Sequence, residues 1–135
     1  HNILPISEVN GPGKRSVIWV QGCIFRCKGC FNPELLPFKT KNLMTIEEIM
    51  SSIPLSAVEG VTISGGEPFC QAKELSIFAK AIGQAGLSLM VYTGYDYSEI
   101  LNSPNIYFKL FIQYIDILVA GPYKKMSLKL LRLHW

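Results

Sequence analysis

Three cysteines stand within eight residues of this chain, Cys23-Ile-Phe-Arg-Cys27-Lys-Gly-Cys30, and no other feature restricts its fold as much. The C-x3-C-x2-C spacing is too tight for a disulfide framework, but it suits soft donors converging on one metal centre. Two kinds of centre remain open on spacing alone. A structural zinc site requires four ligands and full closure, and only Cys70, His1 or His134 can complete such a set here. An iron–sulfur cluster held by three thiolates instead leaves one iron free for a small molecule. Either centre fits a reducing cytoplasm better than a secretory route.

With 135 residues, the chain is expected to form a single domain over residues 1–135. Its 49% hydrophobic and 17% charged residues support a packed core and argue against disorder. The low charged fraction also suggests that some apolar surface meets a partner. A net charge of +3, from 13 basic and 10 acidic residues, does not argue for nucleic acid binding. Lys124, Lys125, Lys129 and Arg132 gather near the end and read as a solvated tail. No apolar run approaches the roughly 18 residues that a membrane span requires. The start shows no charged and apolar pair of regions typical of a secretory leader.

Strand and helix patterns alternate along the chain. Apolar strands are predicted over residues 15–20, 60–64, 87–92 and 115–120. A capping box of Thr45 and Glu48 opens a helix whose inner side carries Ile46, Ile49, Met50 and Ile53. A second helix over residues 71–83 keeps Leu75, Phe78, Ala79 and Ile82 on one face and ends at Gly83 and Gly86. Asp96 and Glu99 cap a short third helix, and residues 106–114 are apolar enough for a buried helix. The expectation is an α/β fold: an open, partial (βα) barrel with a mainly parallel sheet and about four βα units.

Ligands in such folds gather beyond the carboxyl ends of the strands. The cysteine loop follows the first predicted strand, Ser64-Gly65-Gly66-Glu67-Pro68 ends the second, and Tyr92-Thr93-Gly94-Tyr95 ends the third. Three motifs far apart in sequence therefore meet at one rim. Gly65 and Gly66 let main chain approach a ligand closely, and Glu67 adds an acceptor for an ammonium group; the same residues also make an ordinary strand-to-helix turn. Cys70 reads as a small buried apolar side chain, and Trp19 as core. Tyr92 and Tyr95 serve either packing or cofactor contact. Gly11-Pro12-Gly13 is a turn or a loop near the metal centre or a partner. Arg26 is either solvated or close to that centre.

Asn10-Gly-Pro-Gly13 with Arg15, Gln21-Gly-Cys23, the three-cysteine loop with Gly29, and Cys30-Phe-Asn-Pro33 together resemble the radical S-adenosylmethionine (SAM) superfamily. Within it they are most similar to the anaerobic ribonucleotide reductase activating enzymes. Ser64-Gly-Gly-Glu-Pro68, Tyr92-Thr-Gly-Tyr95 and Ile117-Leu-Val-Ala-Gly121-Pro122 extend the resemblance over about residues 9–123. It implies that Cys23, Cys27 and Cys30 hold a 4Fe-4S cluster whose fourth iron takes the amino and carboxylate groups of SAM. It further implies that Gly65, Gly66 and Glu67 grip the amino group, with Gly29, Tyr92 and Thr93 also near the cofactor. A flavodoxin- or ferredoxin-type donor would supply one electron, and SAM would break into methionine and a 5′-deoxyadenosyl radical. That radical would take a hydrogen from a glycine of a large partner, an anaerobic ribonucleoside-triphosphate reductase. Nucleic acid and membrane are not implied as partners. Ala120 stands where an acidic residue is common, and the tail from about residue 124 departs from the family pattern. Another peptide or small molecule as substrate, or a zinc-binding interaction module, are the competing readings.

Cys27→Ala is expected to abolish both the electron paramagnetic resonance (EPR) spectrum of the reduced cluster and SAM cleavage. Retained cleavage would refute the ligand assignment.

Overall fold

In the computed structural model, residues 2–124 are described; His1, His134 and the basic positions beyond Lys124 lie outside the described residues. A five-stranded, mostly parallel sheet organises the chain, in the order β1-β2-β3-β4-β5. The strands are β1 (Asn2–Ser7), β2 (Arg15–Val20), β3 (Gly60–Gly65), β4 (Ser88–Thr93) and β5 (Ile117–Ala120). The last four run parallel, while β1 pairs antiparallel with β2. The sequence reading misses β1. Pro5 interrupts its apolar run, which demotes a strand in sequence, yet β1 is an edge strand, where proline is tolerated. Pro5 is even used, since its carbonyl accepts from the Ser16 hydroxyl at 2.6 Å.

The helices are α1 (Ile46–Ser52), α2 (Ala72–Gln84), α3 (Tyr97–Asn102) and α4 (Ile106–Ile112). Both expected capping boxes form, Thr45 with Glu48 on α1 and Asp96 with Glu99 on α3. Helix α2 buries Leu75, Phe78, Ala79 and Ile82 as its spacing predicts. It runs through Gly83, however, and the chain turns at Gly86, whose φ of 75° suits glycine. Helix α4 is half-buried rather than buried: Phe108 and Phe111 face inward, and Ile106 stays exposed.

Strand alternation sorts the sheet into two unlike faces. Ile18, Val20, Val61, Ile63, Leu89 and Val91 share one face and join the helices in a single apolar core. The other face carries Arg15, Val17, Thr62 and Met90, all buried. Arg15 is only 1% exposed there, and its hydrogen bonds go to neutral oxygens. Nε donates to Thr62 Oγ1 at 2.8 Å, and the two terminal nitrogens donate to Val61, Pro12 and Ser88 carbonyls and the Ser88 hydroxyl. Burial draws the guanidinium pKa down, against the attraction of Asp116 and Glu59. The side chain ties the starts of β2, β3 and β4 together. Gly11 folds over it: a Cβ there would stand 2.6 Å from Met90 Sδ and 2.9 Å from Arg15 Cδ. The Gly-Pro-Gly turn thus lies at the amino ends of the strands, opposite the cysteine loop. Of its two readings, a plain turn and a loop near the metal centre or a partner, the position at this rim fits the turn and not a place beside the cysteines.

Arg15→Ala is expected to destabilise the chain by about 3–5 kcal/mol, because several buried acceptors lose their donor together. Arg15→Lys should recover only part of this, since an ammonium cannot present the planar fork. Urea unfolding of the three proteins checks both values.

Candidate functional site

Beyond the carboxyl ends of β2, β3 and β4, backbone contacts draw the three motifs into one assembly. Gly66 N–H donates to the Val20 carbonyl at 2.9 Å, and Glu67 N–H donates to the Gly22 carbonyl at 2.8 Å. Gly22 and Cys23 in turn donate to the carbonyls of Leu35 and Leu36. A Cβ on Gly66 would come within 2.2 Å of the Gly22 oxygen, and one on Gly65 within 2.6 Å of the Val20 nitrogen. Gly65 also has φ +107°. The glycines are therefore demanded by the packing of the turn against the cysteine loop, whatever ligand lies beyond.

Glu67 is 1% exposed. Its Oε1 accepts from Phe69 N–H at 2.9 Å and from the Thr93 hydroxyl at 2.7 Å, and Oε2 accepts from Gly94 N–H at 2.8 Å. Three acceptor positions of the carboxylate are thus occupied, and about one lone pair remains for a ligand. Burial pushes its pKa up, against the pull of the Gly94, Phe69 and Thr93 donors. Sequence reasoning assigns Glu67 to a ligand and misses this internal bond between the turn after β3 and the end of β4.

The loop itself has little regular support, with Arg26 at φ 46° and Gly29 at φ 75°. Phe25, within the loop, anchors it to the end of β4. Its ring lies 4.8 Å from Tyr95, edge to face, and a Cβ on Gly94 would stand 2.7 Å from it. Tyr95 continues into Phe69 and Phe108, so it is a packing aromatic. Phe25 escapes notice in sequence because it carries no titratable or ligating group, and Gly94 is read only as part of the motif that ends β4.

One cavity of about 440 Å3 gathers Cys23, Cys27, Cys30, Gly65, Gly66, Glu67, Tyr92 and Thr93. That volume falls in the range of small-molecule sites. Phe25, Asn32, Leu36, Ser64, Gly94 and residues 119–123 complete the wall, and Phe31, also on it, is 86% exposed. Of the expected contacts, Gly29 alone is absent from the wall; it is exposed. Arg26 is exposed too, which favours the solvated reading. Cys70 and Trp19 are half-buried and line a second cavity, which corrects their assignment to the core.

Three thiols, those of Cys23, Cys27 and Cys30, line the cavity; among the described residues no other cysteine lines it, and both histidines lie outside the described residues. Among the described residues, no three His, Cys, Asp or Glu are grouped to hold a single ion. Three soft donors around one cavity suit an iron–sulfur cluster with an open iron. Burial pushes the Cys23 thiol pKa up, so binding must release its proton.

The chain belongs to the 4Fe-4S single cluster domain family, which it matches over residues 9–135. It is 28% identical over 130 residues to the anaerobic ribonucleoside-triphosphate reductase-activating protein of Enterobacteria phage T4, covering 91% of this chain and 80% of that protein. A Haemophilus influenzae protein provisionally named a glycyl-radical enzyme activating enzyme is 39% identical over 94 residues, 65% of this chain and 35% of its own. The pyruvate formate-lyase-activating enzyme of Clostridium pasteurianum is 32% identical over 126 residues, 86% of this chain and 52% of its own. This chain thus spans about a third of one of these relatives, about half of another and most of the third.

Because Glu67 holds its proton more tightly folded than unfolded, its contribution to stability is greatest in acid. That contribution declines as pH rises from the ordinary carboxylate pKa through the raised one. Glu67→Gln should remove this decline and cost about 1–3 kcal/mol, as an amide group must then face the Gly94 N–H. Urea unfolding of parent and variant across pH 4–8 tests the slope; an unchanged slope would show that Glu67 does not titrate differently on folding.

Proposed function

We propose that this chain is a radical SAM activating enzyme that generates a glycyl radical on an anaerobic ribonucleoside-triphosphate reductase. The observation that carries the reading is the meeting of three thiols with the Gly65-Gly66-Glu67 turn in one cavity. The partner assignment follows the phage relative, which is matched along most of both chains. In this reading the sheet is half of a (βα) barrel, residues 1–135 form one domain, and the protein works in a reducing cytoplasm with a flavodoxin- or ferredoxin-type donor. Among the described residues no helix is long and apolar enough to cross a membrane. Neither nucleic acid nor membrane has a role in it.

Cys23, Cys27 and Cys30 would hold a 4Fe-4S cluster, which together with SAM supplies a 5′-deoxyadenosyl radical. The residues of the chain do the positioning. Gly65 and Gly66 present main chain to the SAM amino group, and Glu67 offers it the remaining lone pair of a carboxylate already fixed at three points. Tyr92 and Thr93 close the wall on the β4 side. Because Glu67 and Thr93 are prealigned, little reorganisation is needed when the ligand binds. The partner's glycine must enter past the exposed Phe31 and Tyr123, and covering that mouth excludes water from a reactive radical.

After anaerobic reconstitution with iron and sulfide, the protein with dithionite should convert SAM to methionine and 5′-deoxyadenosine. With an anaerobic reductase added, a glycyl radical doublet should appear by EPR. SAM cleavage without that doublet would refute the activase assignment and leave the superfamily assignment standing.

A further inference from the structure

From Pro37 to Thr45 the chain is exposed at nine consecutive residues. Exposed stretches of this kind are mostly polar, yet this one presents Phe38, Leu43 and Met44, which are 62%, 86% and 38% exposed. The stretch is fastened to the cysteine loop. Gln21 Nε2 donates to the Pro37 carbonyl at 2.8 Å, and a Cβ on Gly22 would stand 2.6 Å from the Phe38 ring. Beside it opens a second cavity of about 670 Å3, lined by Phe38, Leu43 and Met44 together with Ile18, Ile49 and Leu75. An outstanding apolar side chain, Leu43, and an apolar hollow therefore adjoin on one surface.

Charge on this surface is ordered along the chain. Lys39 and Lys41 precede the apolar pair Leu43-Met44, Glu47 and Glu48 follow it, and all four charged side chains are exposed. Lys39 and Glu48 are equally far in sequence from the Leu43–Met44 bond, and Lys41 and Glu47 come within one residue of the same symmetry. Glu48 is held next to the stretch, since its Oε2 accepts from Thr45 N–H at 2.7 Å. Among the described residues none of the four joins an ion pair; Lys14 with Glu8 is the pair that forms. A partner of one sign would set one end of this surface against like charge. A second copy, turned about a two-fold axis, instead brings each basic end against an acidic end.

We propose that the surface formed by residues 38–48 and the second cavity binds a second copy of this chain about a two-fold axis near Leu43 and Met44. Leu43 of each copy enters the hollow of the other, and the two lysines of each copy meet the two glutamates of the other. A standard interface uses roughly 20–30 residues a side, and this stretch supplies about half of that, so association in the micromolar range is expected. None of residues 38–48 lines the cofactor cavity, so both cofactor cavities stay open in the dimer.

Sedimentation equilibrium of the whole chain, over about 1–200 µM protein, tests this. The parent should dimerise, and less so in about 0.5 M salt, where exposed charges are screened. Lys39→Glu/Lys41→Glu makes the surface wholly acidic, and Glu47→Lys/Glu48→Gln makes it basic while glutamine retains the capping box. Each variant alone should dimerise at least about tenfold more weakly than the parent. An equal mixture of the two should restore dimers, because one acidic and one basic surface then face each other. All four side chains are exposed, and unchanged melting temperatures check that the fold is kept. A parent that stays monomeric throughout overturns the proposal, as does a dimer that neither variant weakens. Weakening that the mixture does not reverse overturns it too, since self-complementary charge would then not be its cause. Any of these failures leaves the functional reading standing, because that reading is decided by SAM cleavage.

Discussion

Close approach of two backbones, Gly65-Gly66 against Val20 and Gly22, is the contact from which the rest of the rim is built. It requires the absence of side chains, because a Cβ on Gly66 would stand 2.2 Å from a carbonyl oxygen. Once it forms, Glu67 is carried into the interior, where an unpartnered carboxylate would be costly. Thr93 and Gly94 at the end of β4 supply the donors it needs, so one hydrogen-bond set locks the turn after β3 to its neighbour. Gly94 then forms the floor on which Phe25 of the cysteine loop rests. Packing, electrostatics and site geometry here are one chain of dependence.

The opposite rim shows the same economy with the opposite charge. Arg15 satisfies carbonyls and hydroxyls from three strands while carrying a buried positive charge. No buried side-chain polar atom among the described residues is left without a partner. Such fully satisfied networks rigidify a sheet whose non-helical face buries Arg15 and Thr62 beside Val17 and Met90. In the proposed function a stiff sheet would matter, because the three cysteines and the Gly65-Gly66-Glu67 turn would have to keep their relative positions.

Much of this was legible from residues alone. The parallel strands β2 to β5, both capping boxes and the buried face of α2 follow from local periodicity and cap chemistry. Those signals act over a few residues and survive into the fold. The antiparallel β1 was hidden because Pro5 suppresses a strand signal that only an edge position can rescue. Trp19 and Cys70 were assigned to the core because their types are usually buried, yet they stand where the sheet ends and a cavity opens. The Gly-Pro-Gly turn lies at the far rim from the cysteines because it precedes β2, whereas the cysteine loop follows it.

The sequence by itself determined the chemistry available: three soft donors in eight residues, a glycine pair, one acidic side chain after it, and strands that bring them to a common edge. Tertiary structure decided how those groups are used. Only the fold reveals that Glu67 is bonded to β4 before any ligand arrives and that Phe25 seats the cysteine loop on Gly94. The physical reason is range. Donor type and backbone propensity are properties of neighbouring residues, whereas hydrogen-bond satisfaction and the sharing of a face are settled between strands that lie tens of residues apart.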